Sequence, residues 1–306
     1  MRHLVPESMP VDITGSLSNR FRSKLGQERS RYAQPSRTEQ TEARELMSAL
    51  EWTVIRAMAA ADSSLRLGQN VGLAIVSGEG EANYTLHGEE VRILSPRACG
   101  RKRVEFASGR AAAQLALKQI GFENPPPVLR GQKGEPIWPD GIVGSITHCY
   151  PWSVAVAVKR SNRVAIGVDL ETMEGIQGTD ISDLVCSEAE LDWVRGGNLQ
   201  ERLTMIFSAK EAVYKAFYPL CRRYIDFKEV ELTWFPGQYR FQGKFLAPFG
   251  PNLPRGHACA VHCRSHAELV FSCLIHAVPV KRAFVKRRNL DSFVPLKPIT
   301  RTPWHP

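Results

Sequence analysis

The chain has 306 residues, 43% hydrophobic and 23% charged. That suits one large domain or two small ones with an ordinary soluble core. Seven scattered cysteines, an odd number without a spacing framework, argue against a disulfide scaffold and for a reducing compartment. The formal charge of +9 hints at nucleic acid, but residues 281–306 hold seven Lys or Arg against Asp291 alone. That Pro-rich tail supplies +6 and leaves only +3 for the rest, so a nucleic-acid partner is not expected.

Residues 1–45 are polar, lack sustained periodicity and are expected to be largely disordered. Arg20, Arg22, Lys24, Arg29 and Arg31 fall in a Ser-rich stretch as in a transit peptide, but Glu7 and Asp12 count against it. No run is apolar enough for a membrane span, and the cytoplasm is the expected location. Ala43, Leu46, Leu50, Val54 and Met58 predict a helix near 40–60.

Val71–Val76 reads as a strand. Phe106, Ala113, Leu117 and Ile120 predict a helix over 104–120, stopped by Gly121. Residues 124–140 read as a Pro/Gly-rich loop. Strands are expected at 143–146, 153–158 and 164–170, and a second helix at 203–218, ended by Pro219. Further strands follow at 230–234, 239–241, 258–263 and 269–276.

The two helices echo one another. Phe106-Ala-Ser-Gly-Arg110-Ala-Ala opens the first and Phe207-Ser-Ala-Lys-Glu211-Ala-Val the second. We therefore expect an α+β fold of two similar α/β lobes related by a pseudo-twofold, with a ligand cleft between them. The expected division is an extension at 1–70, lobes at 71–160 and 161–280, and a disordered basic tail at 281–306.

Three stretches carry chemistry. In Ile166-Gly-Val-Asp169-Leu-Glu171, strand geometry puts Asp169 and Glu171 on one face. Paired carboxylates repel unless a cation sits between them, and oxygen-only ligands suit Mg²⁺. On the second helix Glu211 and Lys215 are spaced i, i+4 and share a face, next to Lys210. Gly144-Ser145-Ile-Thr147-His148 offers donors to phosphate oxygens. Lys102, Arg103 and Arg110 gather about the first helix, and Arg130 and Lys133 about the glycine-rich loop, in places that suit anions.

In order and spacing these pieces resemble the Sfp-type 4'-phosphopantetheinyl transferases, the branch like the enterobactin-synthase component D enzyme. The matching stretches are Lys102–Arg110, Gly134-Glu-Pro-Ile-Trp-Pro139, Val143–His148, Gly167–Glu171 and Phe207–Pro219. The likeness covers about residues 71–276. It implies a fold of two lobes in one chain, hence a monomer. It implies transfer of the phosphopantetheine arm of coenzyme A to a serine of an acyl or peptidyl carrier protein. Asp169, Glu171 and Glu211 would hold Mg²⁺. Lys102, Arg103, Arg110, Lys133, Thr147 and His148 would contact coenzyme A. Lys210 and Lys215 would meet its pyrophosphate, with Lys215 as the candidate acid; for the base we expect Glu211, directly or through a water, or else a metal-bound water. Rival readings are a Mg²⁺-dependent nuclease or nucleic-acid binder, a non-catalytic coenzyme A-binding protein, and a zinc site at His257, Cys259, Cys263 and His266.

Overall fold

The computed structural model describes residues 37–61, 64–78, 84–94, 98–159, 164–175, 179–250 and 252–277. The basic tail and the transit-peptide stretch lie outside them. The fold is mixed α/β. Its first helix, α1 (Arg37–Ala61), is followed by strand β1 (Val71–Ser77), a short helix α2 (Gly88–Ile93) and the long helix α3 (Gly100–Gln119). A hairpin of two-residue strands, β2 (Leu129–Arg130) and β3 (Pro136–Ile137), interrupts what the sequence presents as plain loop. Strands β4 (Ile142–Cys149), β5 (Trp152–Lys159) and β6 (Val164–Thr172) come next. Helices α4 (Thr179–Val185), α5 (Glu188–Arg195) and α6 (Leu199–Cys221) precede strands β7 (Val230–Phe235), β8 (Arg240–Phe245), β9 (Ala258–His266) and β10 (Leu269–Ala277).

The strands form two antiparallel sheets, ordered β1-β5-β4 and β6-β10-β9-β8-β7. α3 packs on β1 and β5, and α6 on β6 and β10. Both contacts need a strand glycine. A Cβ on Gly72 would lie 2.0 Å from the Ala116 carbonyl oxygen, and one on Gly167 would lie 1.8 Å from that of Ala212. Each helix therefore rests its backbone directly on its sheet.

The sheets meet where β4 lies beside β6. The join runs through side chains: Ser145 Oγ accepts from Val168 N at 3.1 Å, and Thr147 Oγ1 accepts from Leu170 N at 3.1 Å. Two hydroxyls thus satisfy amides on the open edge of β6.

α1 has the predicted apolar spacing, and it is more than an extension. Leu46, Leu50, Val54, Ala57 and Met58 are buried in one cluster with Leu73 and Val156 of the first sheet and Ile166, Phe271 and Cys273 of the second. The hydrophobic stripe packs on β10 and β9 and belongs to a cluster that reaches the first sheet. The helical part of residues 1–70 thus shares a core with both sheets.

Two boundaries differ from expectation for clear reasons. α6 does not stop at Pro219. The proline forgoes only its own backbone donor, and the helix runs to Cys221, capped by Arg222 in the left-handed region with its N–H on the Tyr218 carbonyl. α2, α4 and α5 were not expected, because helices of six to eight residues show little periodicity. α5 nonetheless carries a readable start, Ser187 with Glu190 three residues on, which forms a capping box.

Candidate active site

β4, β6 and α6 bring the expected acids and Lys215 together. Alternation on β6 puts Asp169 and Glu171 on one face, and α6 lies across that strand with Glu211 and Lys215 one turn apart. All three carboxylates are nearly buried, at 2%, 8% and 6% exposure for Asp169, Glu171 and Glu211. Lys215 Nζ lies 2.6 Å from Asp169 Oδ1 and 3.3 Å from Thr147 Oγ1. Thr147 in turn donates its hydroxyl to Asp169 Oδ1 at 3.2 Å. Asp169 Oδ2 is buried and has no hydrogen-bond partner among the described residues.

Burial works against the charge on Lys215, but Asp169, Glu211 and Glu171 outweigh it and hold its pKa above the usual lysine value. All three acids thus favour the charged form of one ammonium, and all three line one cavity with it. Their oxygen-only chemistry suits a hard cation such as Mg²⁺. Among the described residues no three His, Cys, Asp or Glu side chains are arranged to hold an ion. Here Lys215 is the group that balances Asp169.

These residues line a cavity of about 1100 Å³, whose wall also includes Lys102, Arg110, Arg130, Lys133 and His148. Arg110 is 7% exposed and stacks over the Phe106 ring at 4.5 Å. One of its guanidinium nitrogens donates to the Leu129 carbonyl at 3.4 Å, and its Nε has no partner among the described residues. Burial pulls its pKa down to about 10, with Glu90 raising and Arg130 lowering it, so it stays cationic at neutral pH. A cavity holding carboxylates at one place and basic side chains at another can accept a polyphosphate together with a divalent ion.

Two family models match the chain. One, described as 4'-phosphopantetheinyl transferase N-terminal domain, matches residues 89–158; the other, described as 4'-phosphopantetheinyl transferase superfamily, matches residues 165–261. The 4'-phosphopantetheinyl transferase PptT of Mycobacterium tuberculosis is 35% identical over 162 residues, 52% of this chain and 70% of that protein. The chain belongs to the 4'-phosphopantetheinyl transferase family. It is 37% identical over 161 residues to the transferase Svp of Streptomyces mobaraensis, across 51% of this chain and 63% of that one. It is 39% identical over 125 residues to enterobactin synthase component D of Salmonella typhi, across 40% of this chain and 51% of that one. The nuclease reading gains no support from these relatives.

Not every expected residue of this transferase sits on the cavity wall. Lys210 is a correction. It is 3% exposed, and its ammonium donates to Glu190 Oε2 at 2.7 Å, the Val185 carbonyl at 2.7 Å and the Phe227 carbonyl at 2.8 Å. All three of its donors are spent, so it meets no pyrophosphate as placed. One helix residue is a turn of about 100°, which takes Lys210 off the face that Glu211 presents to the cavity. Arg103 is likewise absent from the wall. It is exposed and donates to the Ala98 carbonyl at 3.1 Å, whereas its neighbour Lys102 lines the cavity. Thr147 is on the wall, but its hydroxyl proton is committed to Asp169. The zinc reading fails as well. Cys259 and Cys263 lie inside the core, His257 pairs with His276 at 2.9 Å, and His257, Cys259, Cys263 and His266 are not arranged to hold an ion.

Sequence reasoning missed Glu135 and Arg222, both on the cavity wall. Arg222 gave no signal, since it falls just beyond the helix whose end was drawn at Pro219.

Proposed function

We propose that this transferase moves the 4'-phosphopantetheine group of coenzyme A to a serine of an apo acyl or peptidyl carrier protein, releasing 3',5'-ADP. The reaction would take place in the cavity where β4, β6 and α6 meet. One observation carries the reading: Lys215 stands among Asp169, Glu171 and Glu211 in a cavity that also holds Lys102, Arg110, Lys133 and His148. The donor is a pyrophosphate diester, and its anionic oxygens must be neutralised before a serine oxygen can approach.

Asp169, Glu171 and Glu211 would hold Mg²⁺, which would supply charge to polarise the attacked phosphorus. The free, buried Oδ2 of Asp169 supports that place for a cation. Thr147 fixes Asp169 rather than the substrate. Lys215, kept charged by the acids around it, neutralises the departing phosphate. Its raised pKa makes it a better charge partner than proton donor. Glu211 takes the serine proton, directly or through a water. Arg110, Lys102, Lys133 and His148 bind the phosphates of the donor.

The two-lobe plan belongs to the same proposal. Glu90 and Glu190 are both buried, and each sits three residues into a capping box before a long helix. Glu90 accepts from Val128 N and Gln114 on α3; Glu190 accepts from Leu232 N and Lys210 on α6. With the matched glycine contacts at Gly72 and Gly167, this supports two repeats of one design, divided near 160, with the cleft between them. A monomer in the cytoplasm fits that plan.

The direct test is intact-mass spectrometry of an apo carrier protein incubated with this protein, coenzyme A and Mg²⁺. A gain the size of phosphopantetheine, lost on adding EDTA, is expected. No gain on any of several carriers would sink the reading.

A further inference from the structure

We propose that Glu135 and Arg222 form a clasp across the rim of the cavity that positions the cationic β2–β3 hairpin; the proposal rests on reading that cavity as the coenzyme A site. The hairpin carries Arg130 and Lys133, yet its strands are two residues each, too short to be rigid alone. Its shape depends on Glu135. The carboxylate folds back so that Oε2 accepts from Lys133 N at 3.0 Å. This return is open only because residue 131 is glycine: a Cβ there would lie 2.3 Å from the Glu135 carboxyl carbon.

The other oxygen, Oε1, accepts from Arg222 Nη1 at 3.0 Å, 87 residues further along the chain. Arg222 caps α6 at φ 53°, a backbone region where glycine or asparagine is the usual choice. An arginine held there contributes through its side chain. The clasp joins the hairpin to the helix that bears Glu211 and Lys215, so the groups that would hold the donor's phosphates move with those that would act on them. It also cancels a charge. Glu135 lies on the cavity wall, and its bare carboxylate would repel a phosphate. These are positioning residues, not catalytic ones.

The test uses the full chain, with coenzyme A affinity by calorimetry, steady-state transfer, and hydrogen exchange over residues 130–135. Arg222→Ala is expected to weaken coenzyme A binding about fivefold, the upper range for an exposed ion pair. KM for coenzyme A rises in step, kcat stays near wild type, exchange in the hairpin quickens, and the melting temperature is unchanged. Arg222→Lys recovers part of the loss. Arg222→Ala combined with Glu135→Gln also recovers part, because the carboxamide still accepts from Lys133 N and carries no charge. Wild-type affinity and wild-type hairpin exchange in Arg222→Ala would overturn the clasp. A wild-type protein that fails to bind coenzyme A would strike the cavity reading instead, and the exchange data would still judge the clasp.

Discussion

Lys215 on α6 and Asp169 on β6 are joined by a 2.6 Å ion pair in which the carboxylate is 2% exposed and the lysine side chain 26%. The pair fixes the helix carrying Glu211 against the strand carrying Glu171. It also leaves Asp169 Oδ2 free of hydrogen bonds among the described residues. A carboxylate held by one oxygen can offer the other to a cation. Asp169→Asn keeps the shape and removes the charge. Transfer is expected to fall by at least about a hundredfold, with Mg²⁺ no longer raising the melting temperature. Near wild-type turnover in this variant would contradict the site.

The same pair sets a pH dependence. The folded-state pKa of Lys215 is raised above the ordinary lysine value of 10.5. Its stabilising effect is therefore complete below that value and fades as pH climbs through the higher folded-state pKa. Lys215→Met is expected to lower the melting temperature near neutral pH, because Asp169 is left buried without its partner. The gap between variant and wild type is expected to narrow only in strongly alkaline buffer. Thermal melts across the alkaline range check this, and a gap that closes well below the ordinary lysine pKa would show that the pair is not the cause.

Lys210 and Lys215 look alike in the sequence and behave differently in the fold. Lys210→Ala leaves Glu190 buried without its cation and is expected to cost about 3–5 kcal/mol in denaturant unfolding. The coenzyme A affinity of the folded fraction stays the same. A stable Lys210→Ala protein with weakened coenzyme A binding would reverse this assignment.

Gly167→Ala puts a Cβ 1.8 Å from the Ala212 carbonyl oxygen, and backbone cannot yield there. α6 must lift from β6, parting Glu211 from Asp169. A loss upwards of about 3 kcal/mol is expected, with activity lost before the fold is. Circular dichroism with an activity assay on the same samples separates the two.

α1 is predicted to matter as much as the strands it covers. Leu50 is fully buried in the cluster that α1 shares with the sheets. Leu50→Ala is expected to cost about 3–5 kcal/mol by denaturant titration. A change under a kcal/mol would mean that α1 merely rests on the surface.

Much of this was legible in the sequence. Strand alternation placed Asp169 and Glu171 together, helical spacing placed Glu211 beside Lys215, and the apolar stripe of α1 was visible. Contacts made through space were not. Nothing local to Lys210 says that its ammonium meets Glu190 from another helix, although Ser187 and Glu190 advertise a helix start there. The step from Lys102 to Arg103 shows the same limit: neighbours in sequence face different ways once wound into a helix. Arg222 gained its place only because α6 continues past its proline.

The family models end at residue 261, whereas β10, residues Leu269–Ala277, is an inner strand of the larger sheet between β6 and β9. A recombinant piece trimmed to 89–261 would lack that inner strand, the first strand of the smaller sheet and the helix packed on β10 and β9. Three raw strand margins, on β5, β6 and β9, and a greasy back would be left bare, a recipe for precipitation rather than a minimal enzyme. Anyone shortening this protein should keep the polypeptide from about residue 37 to 277 intact.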